Sequence, residues 1–297
     1  MMSHKSDVDI EKPSRLFTAV LHENMGYLKR CLDSPTNGEI FARDELQNTV
    51  LHCAILEDKR LFLALLLEYV RDTQCFFKTN ASGCNILHLA AIEDATWAAD
   101  QLCKHSLMNR KIINSQNLKT GSTAAHWVAT NGNIHVFKLL EEQGADFSMK
   151  NMMGETPLFK AVQYNQPQFL ESFLRKHQSL INEPTKKGER PLTYAIYNNF
   201  VECVQILIDH GADIHHEDLA LATKLGLVKT TTELYIAFEE HVAEELKGEI
   251  GQLIGFQNMR SHDIEKTPCS FFFKLFQCFE DNTDNAIRRN AKQAPFS

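Results

Sequence analysis

One short pattern occurs five times along the chain, and it constrains the fold more than any other feature. Its copies lie at residues 49–54, 83–91, 121–129, 154–162 and 188–196. One position within the pattern is occupied in turn by His52, His88, His126, Phe159 and Thr193. Consecutive copies are about 35 residues apart, a spacing typical of proteins built from stacked structural repeats.

Each copy carries the signals of a short helix. In the fourth copy, Thr156 and Pro157 are residues that favour a helix start. Leu158, Ala161 and Val162 then fall on one face of that helix. A polar turn and a second apolar stripe follow, so the pattern predicts two helices per unit. Because neither helix can bury its apolar face alone, neighbouring units must pack against each other.

The best copies follow the order Gly-x-Thr-Pro-Leu-His-x-Ala-Ala, and two units end in Gly-Ala-Asp, at 144–146 and 211–213. This pattern resembles the ankyrin repeat, and the resemblance covers roughly residues 44–214. It implies an all-α solenoid of about seven helix-turn-helix units joined by short hairpin loops, followed by a helical C-terminal extension. Phe159 and Thr193 in the histidine position, and Ala124 in the proline position, depart from the family pattern.

The repeat spacing also predicts the domain organisation. We expect residues 1–13 to be disordered, 14–240 to form the repeat domain, 241–279 to form a helical extension and 280–297 to form a polar tail. The expected units are 14–43, 44–79, 80–117, 118–150, 151–184, 185–214 and 215–240. The first and last units are degenerate, as expected for repeats with one face in water. The extension contains a Phe-rich patch, residues 270–279, which either covers the end of the solenoid or anchors the chain to a partner or membrane.

Composition excludes several classes of protein. The net charge is −7, and no block of Lys and Arg is longer than a pair, so no nucleic-acid partner is expected. No apolar run reaches the roughly 18 residues that a membrane span needs. The eight cysteines are irregularly spaced and form no Cys-x-x-Cys motif, which favours free thiols in a reducing compartment. We therefore expect a soluble monomer without a transmembrane segment.

The three motif histidines could suggest catalysis or metal binding. However, His52, His88 and His126 each lie one stacked unit from the next, too far apart to share a ligand. The resemblance implies that each histidine bonds to the backbone of the neighbouring hairpin. We expect all three to be structural.

Two other groups raise the same question. His210, His215 and His216, with Asp213 and Asp218, form the densest set of potential zinc ligands, but adjacent loop residues usually point apart. Cys203 occupies an apolar helix position, and a buried thiol is inert. The sequence thus predicts no catalytic residue, no metal site and no cofactor.

A partner would contact the positions that stacking leaves free. The resemblance places these at the loop tips and on the exposed side of the first helices, which together form a concave surface. Met152, Met153 and Tyr164 are the expected centre, because apolar residues are not needed there for stacking. Lys186 and Lys187 indicate a partner with some acidic character. The residues singled out as the predicted contact set are Lys119, Thr120, Ser122, Met152, Met153, Glu155, Gln163, Tyr164, Lys186, Lys187, Glu189, Tyr197 and Asn198. Glu45, Leu46 and Glu57 of the first copy and Glu93 of the second lie on the same predicted surface.

The sequence therefore predicts a non-catalytic scaffold or adaptor that binds a partner protein on its concave surface. The degenerate repeats, enlarged loops and distinctive tail resemble those of effectors that intracellular bacteria secrete. The alternative is a eukaryotic adaptor. The expected location is the cytoplasm, or the host cytoplasm for a secreted effector. The alternative function is an enzyme or membrane-targeted effector whose short C-terminal extension carries the activity.

Overall fold

The computed structural model describes residues 14–33, 40–227 and 229–238, and the regular elements in these ranges are all helices. Seven front helices stack in chain order: α1 (Arg15–Leu21), α3 (Val50–Leu56), α6 (Ile86–Ile92), α9 (Ala124–Asn131), α11 (Pro157–Gln163), α13 (Pro191–Tyr197) and α15 (His216–Lys224). Each is followed by a back helix: α2 (Met25–Leu32), α4 (Arg60–Tyr69), α7 (Thr96–Lys104), α10 (Ile134–Glu142), α12 (Pro167–His177), α14 (Val201–Asp209) and a helical stretch at 229–238. We number the resulting pairs units 1 to 7. The predicted all-α solenoid is confirmed.

The order of residue types that recurs from copy to copy explains where the front helices start. In α11 the Thr156 side chain accepts a hydrogen bond from the Phe159 backbone, and Pro157 occupies the first turn, where no amide donor is needed. The apolar positions of the copy then become the core, since Leu158, Ala161 and Val162 are all fully buried. The pattern therefore encodes both the helix start and the packing face.

Two segments that are longer than the repeat pattern requires, residues 71–80 and 105–119, fold into extra turns of helix. Helix α5 (Gln74–Phe77) buries Cys75 and Phe76, and helix α8 (Arg110–Ile113) buries Ile112 and Ile113. A short 3₁₀ helix, Gln178–Leu180, occupies the corresponding place after α12. The sequence indicated extra residues here, and the structure shows that their apolar side chains extend the core.

An aromatic cluster joins the back helices of units 4 and 5. The Phe137 ring lies 5.1 Å from Phe147, 5.2 Å from Phe169 and 5.6 Å from Phe173, centroid to centroid. The imidazole of His177 completes the cluster, 4.8 Å from Phe147. Aromatic ring pairs stabilise a core beyond the contribution of their buried area, so this cluster couples units 4 and 5 strongly.

The cysteines of the described residues are free and buried. Burial raises the pKa of the Cys203 thiol to about 12, and it raises the pKa of Cys53 and Cys103 to about 12 as well. Since the thiolate is the reactive form, these cysteines are inert packing residues.

Several predictions concern residues outside the described ranges. These are the disordered segment 1–13, the extension 241–279 with its Phe-rich patch, and the polar tail 280–297. Within the described ranges, no helix has the length and hydropathy that crossing a membrane requires.

Candidate functional site

The three motif histidines connect neighbouring units through their two ring nitrogens. The Nε2 atom of His52 lies 3.1 Å from the carbonyl oxygen of Cys84, and that of His126 lies 3.0 Å from the carbonyl oxygen of Glu155. His88 contacts the Ser115 carbonyl oxygen in the same way, at 2.8 Å. On the other side of each ring, Nδ1 accepts a hydrogen bond from a backbone amide at the helix start. The structure therefore gives these histidines the structural role expected for them.

Burial also makes these rings poor bases. It lowers the pKa of His52, His88 and His126 from 6.5 to about 4, although the backbone hydrogen bond opposes the shift. All three rings are therefore neutral at physiological pH, as a bridge between amide and carbonyl requires.

A different connection replaces the histidine between units 6 and 7. Thr193 stands in the histidine position and donates its hydroxyl to Oδ1 of Asp218, at 2.7 Å. Asp218 is fully buried, and its second oxygen pairs with the Arg190 guanidinium and accepts the His215 backbone amide. An ion pair thus links units 6 and 7 at the position where neutral imidazoles link units 2 to 5.

The candidate zinc ligands point to different partners. His210 lies 3.0 Å from a carboxylate oxygen of Glu171, His216 packs its ring against Phe238, and Asp218 faces Arg190. Within the described ranges, no three His, Cys, Asp or Glu side chains are grouped so that they could hold a metal ion.

The loops that precede the front helices are hydrogen-bonded to one another. The Ala81 amide donates to the Leu46 carbonyl, Leu118 to Gly83, Met152 to Thr120, and Lys186 to Met153, at 2.8–3.2 Å. Successive loop tips therefore form one continuous row. We use the term loop face for this row together with the exposed C-terminal ends of the front helices.

Gly154 lets two of these tips approach closely. Its φ is +78°, and a Cβ atom added there would lie 2.5 Å from the Lys186 backbone nitrogen. Gly188 has nearly the same φ, +79°, but the described residues leave open space around its Cβ position. Substitutions at the two glycines therefore distinguish the cost of backbone strain from the cost of a clash between neighbouring loops.

We expect Gly154→Ala to destabilise the fold more than Gly188→Ala. Both carry the roughly 1–2 kcal/mol cost of an L-residue in left-handed backbone. Only Gly154→Ala also pushes the Lys186 loop away, which should add about 1–3 kcal/mol. Urea unfolding followed by circular dichroism measures both. Equal losses would mean that the loop tips are not coupled through this contact.

Most of the predicted contact residues lie on the loop face. Met152, Met153 and Tyr164 are each 52% exposed, and Tyr197 is 67% exposed. Gln163 is half-buried, and the remaining members are exposed: Lys119, Thr120, Lys186, Lys187, Glu189 and Asn198.

Ser122 and Glu155 are buried, contrary to the exposed position expected for them. Both occupy the base of a loop, where the backbone carbonyl pairs across it: Ser122 with the Asn117 amide, and Glu155 with the Asn151 amide. Their side chains turn inward as a result. They support the loops rather than present a contact.

Glu155 belongs to a polar network beneath Tyr164. One carboxylate oxygen accepts the Asn151 side-chain amide at 2.6 Å and lies 3.5 Å from Nζ of Lys160. Lys160 also donates to Gln163 and lies 5.0 Å from the centroid of the Tyr164 ring. The network therefore links a loop tip to a helix end and holds the exposed ring in place.

The predicted contact set omitted several apolar residues that are at least partly exposed, although the sequence places Leu46 on the same surface. Leu46 and Leu118, at two other loop tips, are 65% and 69% exposed, and Leu56, at the end of α3, is 44% exposed. Trp127 is half-buried on α9, and its indole nitrogen has no hydrogen-bond partner among the described residues. The sequence feature that could have identified the two loop-tip leucines is an apolar residue at a loop tip, which Leu46 and Leu118 share with Met152.

Comparison with known proteins identifies the repeat. Segments 101–182 and 126–218 match the family model described as Ankyrin repeats (3 copies). The ankyrin repeat domain of Bcl-3 superposes with a TM-score of 0.60 over 69% of this chain and 89% of that one, at 22% identity. The chain is an ankyrin-repeat protein. Ankyrin repeats are generally protein–protein interaction modules, and the ankyrin fold is typically a non-catalytic scaffold.

The relatives found by sequence share only part of their own length with this ankyrin-repeat chain, whereas a second solved structure is covered almost completely. An ankyrin repeat domain from Acinetobacter baumannii superposes with a TM-score of 0.58 at 22% identity, covering 67% of this chain and 98% of that one. Ankyrin repeat protein FPV031 of Fowlpox virus is 33% identical over 114 residues, which are 37% of this chain and 33% of that protein. Human inversin is 26% identical over 181 residues, 61% of this chain and 16% of inversin. These relatives come from a virus, an animal and a bacterium, so they give no support to the narrower expectation of a bacterial effector.

Proposed function

We propose that this ankyrin-repeat protein is a non-catalytic scaffold that binds a partner protein on its loop face. The observation that carries the proposal is the exposed group Met152, Met153 and Tyr164. These side chains lie mid-array, with a unit on each side that can exclude water around a bound group. Adaptable methionines beside a rigid aromatic ring are typical of the centre of an interface.

The support beneath this group strengthens the proposal. Lys160, itself paired with Glu155, lies against the Tyr164 ring and restrains it, so the ring has less conformational freedom to lose when a partner binds. The hydrogen bonds from Met152 to Thr120 and from Lys186 to Met153 restrain the methionine backbone in the same way. The face is therefore preorganised for binding.

We expect the combined variant Met152→Ala, Met153→Ala, Tyr164→Ala to keep its fold and lose its partner. A single residue at the centre of an interface contributes about 2 kcal/mol or more, which is roughly a 30-fold change in Kd. A partner captured from lysate by cross-linking and identified by mass spectrometry would be titrated calorimetrically against both proteins.

A matched control removes exposed apolar area away from the loop face. Leu61 on α4 is 75% exposed, and Ile236 in the last helical stretch is 54% exposed. Leu61→Ala with Ile236→Ala should leave the affinity unchanged. If this control weakens binding while the loop-face variant does not, the partner binds elsewhere and the proposal is wrong.

A further inference from the structure

The first half of the loop face carries unpaired negative charge. Glu45 at the loop tip of unit 2, Glu57 at the end of α3 and Glu93 at the end of α6 are exposed, and none has an ion-pair partner among the described residues. Arg43 and Lys78 lie in the same loops and keep their charge, because Arg43 donates to the neutral Thr79 carbonyl and Lys78 lies 5.7 Å from the centroid of the Phe41 ring. Lys59 is paired with Glu23. With Asp44 also in the first loop, the carboxylates of this end still outnumber Arg43 and Lys78, so the end attracts positive charge.

The other half of the loop face has the opposite character. Lys119 at the tip of unit 4, and Lys186 and Lys187 at the tip of unit 6, are exposed and have no ion-pair partner in the part of the chain that the structure describes. Glu189 is the exposed carboxylate of the same loop, so the tip of unit 6 keeps an excess of one positive charge. By contrast, Lys150 behind the tips is bound to Glu183 at 2.8 Å.

The apolar group lies between the two ends. Met152 and Met153 form the tip of unit 5, next to the lysines of unit 6 through the Lys186–Met153 hydrogen bond. Leu118 and Leu46 continue the exposed apolar residues along the row toward the carboxylates. A bound segment that follows the row would meet carboxylates, then apolar side chains with Lys119 among them, then the lysines of unit 6.

Building on the proposed function, we propose that the loop face binds an extended partner segment whose charges run opposite to its own. Basic residues of the segment lie over units 2 and 3, apolar residues over Met152, Met153 and Tyr164, and acidic residues over unit 6. Packed helices are 8–10 Å apart, so the three to four units between the charged ends span about 24–40 Å. An extended chain rises about 3.3 Å per residue, which separates the basic and acidic residues by about 8–12 positions.

The test is selection of displayed random 16-residue peptides on four proteins. These are the natural sequence, Lys186→Glu with Lys187→Glu, Glu57→Lys with Glu93→Lys, and a control, Lys111→Glu with Lys138→Glu. The control changes the net charge by the same amount as Lys186→Glu with Lys187→Glu, but its two substitutions lie at exposed positions of α8 and α10. Circular dichroism verifies that each variant is folded before selection.

We expect the natural sequence and the control to enrich peptides with basic and acidic residues about 8–12 positions apart and apolar residues between. Each loop-face variant should lose the charge preference of its own end and keep the other. The best peptide should bind each loop-face variant at least 10-fold more weakly at low salt, with a smaller difference at high salt.

The outcomes separate this inference from the proposed function. Peptides without charge separation whose binding depends on Met152, Met153 and Tyr164 would overturn the inference and leave the proposed function standing. Peptides whose binding ignores those three residues, or no enrichment on the natural sequence, would overturn both.

Discussion

Lowering the pH from 7 to 5 is expected to destabilise this protein by several kcal/mol. Burial holds the pKa of His52, His88 and His126 at about 4, whereas each ring takes up a proton near pH 6.5 once the chain unfolds. The unfolded state therefore binds more protons than the folded state between pH 6.5 and 4. Stability is fully present above this window and is lost as the pH falls through it.

The size of the effect follows from the same values. At pH 5 each buried histidine costs roughly 2 kcal/mol, and the three together cost about 6 kcal/mol, a large part of the stability of an ordinary domain. The measurement is the urea midpoint, followed by circular dichroism, as a function of pH. The histidine contribution should approach a limit near pH 4, where the folded rings also become protonated, whereas ion-paired carboxylates such as Glu171, whose pKa is lowered mainly by the hydrogen bond with His210, begin to lose their contribution there.

One variant isolates the contribution of a single ring. His88→Gln should be less stable at pH 7, because the bond to the Ser115 carbonyl is altered, but it should lose about 2 kcal/mol less on going to pH 5. The matched control is His135→Gln on α10, where the ring is exposed to water in the folded chain. If His88→Gln and His135→Gln show the same pH dependence as the natural sequence, the buried rings are not its source.

Arg190→Ala should be among the most destabilising single substitutions, with an expected loss of about 3–5 kcal/mol. The Asp218 side chain is completely buried and that of Arg190 is 15% exposed, so the variant leaves a carboxylate in the interior without its counter-charge. Two hydrogen bonds, from the Thr193 hydroxyl and the His215 amide, do not replace that charge. Urea unfolding measures the loss.

A double-mutant cycle identifies the cause. In an Asp218→Asn background the buried charge is already absent, so Arg190→Ala should cost much less than it does in the natural sequence. Lys104→Ala provides a surface comparison, since its pair with Asp100 is exposed on the lysine side, and it should cost under about 1 kcal/mol. Equal costs of Arg190→Ala in both backgrounds would show that the guanidinium acts through packing and its hydrogen bond to the Asp213 carbonyl, and not through the buried charge.

Much of the fold could be predicted from sequence because its determinants are local. The Thr-Pro start of α11 and the apolar positions Leu158, Ala161 and Val162 act within a few residues of each other, and a fivefold pattern makes them recognisable. The bridging role of the histidines also followed from the family resemblance. The short helices α5 and α8 were not predicted, since four-residue segments carry too little periodicity.

The rest depends on contacts between distant residues. Nothing near Thr193 in sequence indicates that its hydroxyl meets Asp218, which belongs to the next unit. Glu155 was expected to be exposed because loops usually are, but its backbone pairs across the loop base and its carboxylate meets Asn151 and Lys160. The half-buried position of Trp127 and the separation of charge along the loop face likewise emerge only when the units are stacked.

The ring cluster at the junction of units 4 and 5 sets an order in which the array comes apart. Each unit of a linear array is held only by its neighbours, so opening starts where the coupling is weakest and one side is already in water. With Phe137, Phe147, Phe169 and Phe173 interlocked at the middle, the terminal units should detach first when the chain is pulled from both ends. The loop tip that carries Met152 and Met153 belongs to the last pair of units to unfold. A molecule under tension should therefore still bind its partner after its terminal units have unfolded.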